Sequence, residues 1–255
     1  MYPDNHKKLD GRVALVTGAS RGLGKSMALA LGESGANLAL VSRSAESLEE
    51  VSKEAKALGA TSEMFTADVS KEENVEVLRE AVIRRFGKVN ILINNAGINI
   101  RKPITEFTTG EWRSVIETNL TAPFLMCRAF VPQMKGQGYG RIINTTSTMS
   151  HVATPNRTAY AASKAGLLGF TRALALELAL EGITVNGISP GWFETELTKP
   201  IWSDPEANDQ LVSRIPLGRW GDAKDVAKLA VYLCSEEAGY ITGTDILIDG
   251  GYVAQ

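Results

Sequence analysis

Arg12–Gly24 reads RVALVTGASRGLG: an apolar run leads directly into a loop with three glycines at G-x-x-x-G-x-G spacing. The stretch Leu23–Ser34 follows at once with helical spacing. Glycine allows a backbone to turn tightly and to approach another group closely, and a helix N-terminus offers free N–H groups and a positive dipole end. The strand–loop–helix context therefore predicts a phosphate-binding loop, although a glycine triplet by itself indicates no more than a tight turn.

The alternation of apolar runs and helical stretches continues along the whole chain. Near-continuous apolar strands separated by helices indicate a parallel sheet covered on both faces, and right-handed crossovers make it doubly wound. No linker, repeat or low-complexity segment interrupts the pattern, so residues 1–255 are predicted to form a single α/β domain. The predicted strands are Arg12–Thr17, Asn37–Val41, Ser62–Thr66, Asn90–Asn94, Arg141–Thr145, Ile183–Ser189 and Asp245–Ile248. The predicted helices are Leu23–Ser34, Ala45–Leu58, Lys71–Phe86, Thr109–Met134, Thr158–Glu181 and Ala223–Cys234.

Composition and charge exclude several classes of protein. Lys and Arg number 27 against 29 Asp and Glu, which argues against nucleic acid as a partner because phosphate binding needs a clustered cationic surface. No apolar run approaches the roughly 18 residues that span a bilayer. The polar start MYPDNHKKLDG has no apolar signal core, and Cys127 and Cys234 lack CxxC spacing. We expect a cytoplasmic protein that contacts no membrane, with core cysteines, no disulfide and no metal site.

One segment interrupts the alternation of predicted strands and helices. Residues 191–216 form a long excursion, which in a compact domain is typical of a functional lid, although an ordinary packed loop is the alternative. The excursion holds Trp192, Pro200, Trp202, Pro205, Pro216 and a short helical patch at Asp204–Ser213.

The end of the second predicted strand indicates which dinucleotide the loop binds. NAD sites commonly place an acidic residue there, to accept a hydrogen bond from the ribose 2′-hydroxyl. This chain has Ser42 and Arg43 instead, and the glycine loop adds Arg21. Two guanidinium groups suit a 2′-phosphate, so NADP(H) is the preferred cofactor and NAD(H) is possible. The alternative is that Arg43 caps a solvated helix start.

Ser147, Tyr160 and Lys164 are the candidate catalytic residues. Tyr160 and Lys164 lie four residues apart and therefore share a helix face. The pair alone is weak evidence, because chance supplies such spacings. Its position strengthens it, since the helix follows a predicted strand that leads into Ser147, thirteen residues before Tyr160.

Several motifs follow one another in order along the chain: Thr17–Gly24 (TGASRGLG), Asn94–Gly97 (NNAG), Asn119, Ser147, Tyr160-x-x-x-Lys164, Pro190-Gly191 followed by Thr195, and Asp249–Gly251. Together they resemble the motifs of the classical short-chain dehydrogenases/reductases. The resemblance covers nearly the whole chain and implies a seven-stranded Rossmann fold, usually assembled as a homotetramer, with an intact catalytic set.

The resemblance implies a role for each residue in a hydride transfer between NADP(H) and a carbonyl or alcohol. Tyr160 would be the acid/base and Ser147 would hold the substrate oxygen. Lys164 would lower the pKa of Tyr160 and orient the nicotinamide ribose. Asn119 would position a relay water, although it is equally suited to bridge helix and strand backbone. The predicted cofactor-binding residues are Gly18, Ser20, Arg21, Gly22, Leu23, Gly24, Ser42, Arg43, Asp68, Val69, Asn95, Ala96, Gly97, Tyr160, Lys164, Pro190, Gly191, Phe193 and Thr195.

The substrate is less clearly indicated. Asn94–Arg101 and Arg214–Gly221 are most similar to the gluconate 5-dehydrogenase and 2-deoxy-3-keto-sugar-acid dehydrogenase branch, which implies a sugar acid. Arg101 is suited to clamp a carboxylate, and is otherwise a solvated loop charge. The predicted lining also includes Ser147, His151 as a hydroxyl ligand or a structural histidine, Asn99, Asn156, Trp192, Glu194 and Trp202.

Two other functions remain open. The TGASRG loop, Arg43 and the Ala-rich Tyr160 helix also suit a 3-oxoacyl-[acyl-carrier-protein] reductase. That function requires a basic docking patch, for which Arg128, Arg157 and Arg172 are candidates. A non-catalytic dinucleotide sensor is the third possibility, and the intact Ser147, Tyr160 and Lys164 set argues against it.

Overall fold

The computed structural model describes residues 7–196 and 198–255. Its strands are β1 (Val13–Thr17), β2 (Asn37–Ser42), β3 (Ser62–Thr66), β4 (Ile91–Asn94), β5 (Gly140–Thr145), β6 (Ile183–Pro190) and β7 (Asp245–Ile248). All seven pair in parallel in one sheet of order β3-β2-β1-β4-β5-β6-β7. The predicted doubly wound seven-stranded sheet is therefore confirmed. The chain order reverses between β1 and β4, where the carboxyl ends of the strands leave a crevice.

Burial explains why the sequences of most strands are apolar. Every residue of β1, β4, β5 and β6 is buried, as a parallel sheet covered on both faces requires. Successive side chains point to opposite faces, so Ala14 and Val16 join one apolar cluster and Leu15 joins the other. The edge strand β3 instead exposes Met64 and Thr66.

Helices cover both faces of the sheet. They are α1 (Gly22–Glu33), α2 (Ala45–Ala57), α3 (Glu72–Phe86), α4 (Thr109–Ile116), α5 (Ala122–Met134), α6 (Thr158–Leu178), α7 (Lys199–Trp202), α8 (Pro205–Val212) and α9 (Ala223–Cys234). The apolar cluster that contains Ala14 and Val16 packs α1, α2 and α9 on one face, and the cluster that contains Leu15 packs α3, α5 and α6 on the other.

The helix predicted at Thr109–Met134 is interrupted. A π-helical turn at Glu117–Thr121 separates α4 from α5, and such turns recur at functional sites. The helix predicted at Thr158–Glu181 ends as an α-helix at Leu178, and one 3₁₀ turn continues to Gly182, whose φ is 71°. These boundaries correct the sequence prediction, because apolar periodicity does not distinguish a π turn or a 3₁₀ turn from α-helix.

The excursion at 191–216 contains α7 and α8. Asp204 caps α8 by accepting hydrogen bonds from the N–H groups of Glu206 and Ala207. Three residues of the excursion, Trp192, Leu211 and Ile215, form a separate small apolar cluster with Tyr252. The excursion is therefore packed around its own apolar centre beside the sheet.

The two cysteines are buried in different apolar clusters. Burial raises the pKa of the Cys127 and Cys234 thiols to about 12, so both stay protonated at neutral pH. In residues 7–196 and 198–255, no helix has the length and apolar character needed to traverse a bilayer, and no three His, Cys, Asp or Glu side chains are grouped to bind a metal. Residues 1–6 of the polar start lie outside the described residues.

Candidate active site

A cleft of about 1020 Å³ opens at the carboxyl ends of the strands. The loop after β1 and the segments that follow β2 to β6 supply its walls, as expected for a doubly wound sheet. Each residue predicted to bind the cofactor lines this cleft: Gly18, Ser20, Arg21, Gly22, Leu23, Gly24, Ser42, Arg43, Asp68, Val69, Asn95, Ala96, Gly97, Tyr160, Lys164, Pro190, Gly191, Phe193 and Thr195.

The glycine loop is shaped so that only glycine fits. A Cβ on Gly24 would lie 2.2 Å from the Gly18 carbonyl oxygen and 2.4 Å from Nδ2 of Asn95, and Gly18 has a φ of 64°. Nδ2 of Asn95 donates to the carbonyl oxygens of Thr17 and Gly18 at 3.1 and 3.2 Å, which fixes the turn. Arg21 makes no side-chain hydrogen bond to the start of α1. The first-turn N–H groups of α1 therefore suit a pyrophosphate, and the loop fits a dinucleotide.

At the end of β2, Ser44 caps α2 by accepting from the N–H of Ser47 at 3.3 Å. The cap is thus Ser44, and the exposed Arg43 is left to project at the cleft. Burial alone would raise the pKa of Asp68, but hydrogen bonds from Ser70 and the charge of Arg43 outweigh it and lower that pKa. A cation and an ionised carboxylate are therefore close together at the adenosine end.

Ser147, Tyr160 and Lys164 converge at the other end of the cleft. Ser147 follows β5, the other two lie on the first turns of α6, and all three are at least nine-tenths buried. The Ser147 side chain acts on the Tyr160 hydroxyl in the direction that lowers its pKa, and its Oγ accepts from the N–H of Met149 at 3.1 Å. Nζ of Lys164 donates to the carbonyl oxygen of Thr145 at 2.5 Å and lies 5.8 Å from the centroid of the Tyr160 ring.

The charges acting on Tyr160 differ from the sequence prediction. Burial raises the pKa of Tyr160, and it outweighs the lowering by the Ser147 side chain and by the charges of Arg157 and Arg101. Burial also lowers the pKa of Lys164 to about 8, against the opposing effect of Asp245. The two arginines, rather than Lys164, are the cations that favour the tyrosinate here. Sequence reasoning could not weigh them because their distance to Tyr160 depends on the fold.

Asn119 lies in the π turn and is fully buried. Its Oδ1 accepts from the N–H of Ile98 at 2.8 Å, and its Nδ2 donates to the Ile98 carbonyl oxygen at 2.9 Å and to Oγ of Ser163 at 3.0 Å. The bridging role considered from the sequence is thus present in the structure. It ties the segment after β4 to α6.

Known proteins are similar to this chain in sequence. A family model described as enoyl-(acyl carrier protein) reductase matches residues 18–253. A 3-oxoacyl-[acyl-carrier-protein] reductase of Staphylococcus epidermidis is 41% identical over 239 residues, which cover 93% of this chain and 97% of that protein. The chain belongs to the short-chain dehydrogenase/reductase family. This membership makes it an oxidoreductase.

Solved structures of the short-chain dehydrogenase/reductase family superpose on the chain. A gluconate 5-dehydrogenase from Burkholderia cenocepacia, in complex with NADP and tartrate, has a TM-score of 0.93 at 33% identity and covers 98% of both chains. A short-chain type dehydrogenase/reductase from Mycobacterium marinum has a TM-score of 0.92 at 35% identity, with the same coverage.

The substrate end of this short-chain dehydrogenase/reductase only partly matches the sequence prediction. Arg101, Ser147, Asn99 and Trp192 line the cleft. His151, Asn156, Glu194 and Trp202 were also expected to line it, and the structure does not place them among the lining residues.

The residues outside the cleft have other partners. Nε2 of His151 lies 2.6 Å from Oδ2 of Asp245, whose buried carboxylate also accepts from Thr146 and Ser189. Asn156 adopts a φ of 63°, and its carbonyl oxygen accepts from the N–H of Lys102. Both residues therefore shape the loops rather than the cavity wall.

Trp202 and Glu194 also lie away from the wall. Nε1 of Trp202 donates to the Thr195 carbonyl oxygen at 3.2 Å, and Glu194 is exposed.

Sequence reasoning missed Arg157 as a site residue. The sequence predicts it only as part of a basic docking patch near the site, and the structure places it in the cleft lining. Its position three residues before Tyr160 indicates the same end of α6, but not that its side chain lines the cleft.

Proposed function

We propose that this chain is an NADP(H)-dependent oxidoreductase that interconverts a secondary alcohol and a ketone, with Tyr160 as the acid/base. The observation that carries the proposal is that the buried residues Ser147, Tyr160 and Lys164 line the same cleft as the glycine loop. A dinucleotide held by that loop reaches the residues that can move a proton.

The side chains suit both directions of the reaction. When bound, the nicotinamide supplies or accepts the hydride. In reduction, the carbonyl oxygen gains negative charge; Ser147 hydrogen-bonds this oxygen and Tyr160 protonates it. Burial keeps Tyr160 protonated for that step. In oxidation, Tyr160 accepts the alcohol proton, aided by Ser147 and the two nearby guanidinium groups.

NADP(H) is preferred over NAD(H) because of the charges at the adenosine end. Arg21 and Arg43 line the cleft there, and Ser42 stands where NAD sites commonly have an acidic residue. Ser42 itself is engaged in a local turn with Ser44, so the arginines carry the preference. The NADP complex of the Burkholderia relative supports this choice.

The proposed substrate class is a sugar acid. Arg101, half-buried in the cleft wall, provides a cation for a carboxylate near the reacting carbon. The likeness to a gluconate 5-dehydrogenase crystallised with tartrate, a hydroxy acid, supports the class. We place residues 1–255 in one domain, in which residues 191–216 help to form the substrate pocket through Trp192.

A second candidate is reduction of a 3-oxoacyl group on a carrier protein, favoured by the 41% identical Staphylococcus relative. Of the arginines considered for its docking patch, Arg128 is paired with Glu72 at 2.6 Å and Arg157 lines the cleft. Arg172 is exposed on α6. A sensor that only binds the dinucleotide is disfavoured, because such a protein has no use for Ser147, Tyr160 and Lys164 brought together in the cleft.

Cofactor oxidation tests these alternatives. NADPH and NADH are each offered with 5-keto-D-gluconate, a neutral ketose and an acetoacetyl thioester. We expect NADPH consumption with the keto acid, and a loss of orders of magnitude in Tyr160→Phe, which should still bind NADPH. Turnover with the thioester alone would favour the second candidate. Rapid use of NADH with none of NADPH would overturn the interpretation of Arg43, and near-normal activity in Tyr160→Phe would overturn that of Tyr160.

A further inference from the structure

Two arginines from different parts of the chain meet at the substrate end of the cleft. Arg101 lies in the loop after β4, and Arg157 is the residue immediately before α6. Both are half-buried, and both act electrostatically on the pKa of Tyr160. Arg157 precedes Tyr160 by three residues, which is less than one helical turn of about 5.4 Å. The two guanidinium groups therefore lie near the reacting centre.

The backbone fixes these arginines relative to each other. The N–H of Lys102 donates to the Asn156 carbonyl oxygen at 3.1 Å, which joins the loop after β4 to the segment before α6. Asn156 accommodates the left-handed φ of 63° that turns the chain there, a conformation that asparagine tolerates better than most residues. Nζ of Lys102 is anchored to Glu111 at 2.5 Å. Arg101 directly precedes Lys102 and Arg157 directly follows Asn156, so this hydrogen bond keeps the two arginines near each other.

Trp192 packs against the Arg157 side chain. The Arg157 guanidinium lies 5.0 Å from the centroid of the Trp192 ring. Edge-on contacts with Trp220 and Tyr252 fix the ring itself. A cation stacked on an aromatic ring retains its charge and loses less entropy when it binds an anion.

Burial and like charge both act on the pKa values of these two guanidinium groups. Burial lowers the pKa of the Arg157 guanidinium, and the charge of Arg101 lowers it further. Burial likewise lowers the pKa of Arg101. Two like charges kept close together in a half-buried wall are stabilised by a shared carboxylate. Two buried polar atoms in the same wall, Nε1 of Trp192 and Oδ1 of Asn99, also lack a hydrogen-bond partner among the described residues.

We propose that Arg101 and Arg157 form a two-arginine subsite for the carboxylate of a short hydroxy acid or keto acid, with Trp192 as the positioning residue for Arg157. This inference rests on the proposed function and narrows its substrate class. Because Arg157 is within one helical turn of Tyr160, the carboxylate binds only a few carbons from the carbon that exchanges hydride. Each guanidinium offers paired donors that match carboxylate oxygens.

Binding tests the subsite separately from turnover. With NADPH present, so that the alcohol cannot be oxidised, D-gluconate should raise the thermal midpoint of the wild-type protein, whereas D-glucitol, its uncharged counterpart, should not. In Arg157→Gln, the stabilisation by D-gluconate should disappear. Arg172→Gln, on the same helix but outside the cleft lining, should behave like wild type. Equal effects of both probes on the wild type, no effect of either, or an unchanged response in Arg157→Gln would each overturn the subsite.

Kinetics add the substrate preference. For 5-keto-D-gluconate, Arg157→Gln should lower kcat/KM by about 10- to 100-fold, mainly through KM, as the loss of a charged hydrogen bond predicts. For D-fructose, a neutral ketose, the loss should be several-fold smaller, and Arg157→Lys should recover part of the acid activity. An equal loss on both substrates would reveal a purely structural role and overturn the inference. NADPH oxidation with neither carbonyl compound in the wild type, alongside selective D-gluconate binding, would refute the proposed function and leave the subsite standing.

Discussion

At Lys164, burial and charge oppose each other. The side chain is almost fully buried, its Nζ donates to the Thr145 carbonyl oxygen, and burial lowers its pKa to about 8. An unfolded lysine has a pKa of about 10.5. Between these two values, the unfolded chain binds more protons than the folded chain at this position. The stability contributed at Lys164 therefore rises with pH across that window.

The variant Lys164→Met, which removes the titrating group, tests this pH dependence of stability. Below pH 8 the wild type bears the cost of a buried ammonium, and above pH 10.5 both folded and unfolded lysines are neutral. The free energy of unfolding of the wild type, relative to Lys164→Met, should therefore increase by about 1–3 kcal/mol between pH 7.5 and 10. Urea unfolding at several pH values measures it.

Every other titrating group is shared by the two proteins, so it cancels in the difference. Lys71→Met, at an exposed lysine, provides the control for the loss of one lysine. A flat difference for Lys164→Met would contradict the lowered pKa.

For single residues, the sequence predicts contacts within one helix better than contacts between segments that are far apart in sequence. Tyr160 and Lys164 could be paired because helical spacing alone brings them to one face. His151 and Asn156 could not be placed, because their contacts with Asp245 and Lys102 join segments that are far apart in sequence. Arg157 was missed for the same reason, since its stacking partner Trp192 lies on another segment.

Among the elements, β6 and β7 meet at a position where one strand has no space for a side chain. Gly187 is paired with Asp245, and a Cβ on Gly187 would lie 2.1 Å from Oδ1 of that carboxylate. The carboxylate is held by Thr146, Ser189 and His151 and cannot move without breaking those hydrogen bonds. The glycine thus makes room for a buried acid between the last two strands.

Gly187→Ala should therefore destabilise the protein by about 1–3 kcal/mol, the usual range for overpacking. Denaturant unfolding measures the change. If the carboxylate is the cause, the double variant Gly187→Ala/Asp245→Ala should be destabilised by less than the sum of the two single changes. Gly110→Ala, where a Cβ has only a contact at 3.9 Å, is the matched control and should be nearly neutral. Strict additivity in the double variant would contradict the clash.

The elements also show which patterns predict structure reliably. The strands were predictable because most are short apolar runs between turn residues, whereas β3, at the edge of the sheet, alternates more and less exposed residues. The break between α4 and α5 was not, because the π turn keeps the apolar periodicity of its neighbours while it turns Asn119 toward Ile98 and Ser163. Only the backbone hydrogen bonds distinguish the two conformations.

At the scale of the whole molecule, relatives that are named for different reactions match this chain. A 3-oxoacyl-[acyl-carrier-protein] reductase and a gluconate 5-dehydrogenase both match this chain over more than nine-tenths of its length. Fold and family therefore do not determine the substrate, which depends on a few cleft residues such as Arg101 and Arg157.

One surface of the molecule suits a second copy of this chain. Along α6, an exposed row of small residues ends at a leucine that is 82% exposed: Ala162, Ala165, Gly169, Ala173 and Leu176. Small side chains let another helix approach closely, and such a helix would remove the apolar surface of Leu176 from water. The homotetramer that the family resemblance implies would bury this row between copies, since identical faces meet across a two-fold axis.

Light scattering on the purified protein should therefore give four times the mass of one chain. Gly169→Arg should reduce that mass, because a bulky cation would separate the helices. A Cβ at this position has open space around it within one chain, so the change should leave the fold intact, which circular dichroism would verify. Val77→Arg, at an exposed apolar residue on α3, should leave the mass unchanged. A monomeric wild type, or a Gly169→Arg variant that keeps the full mass, would exclude α6 as the face between copies.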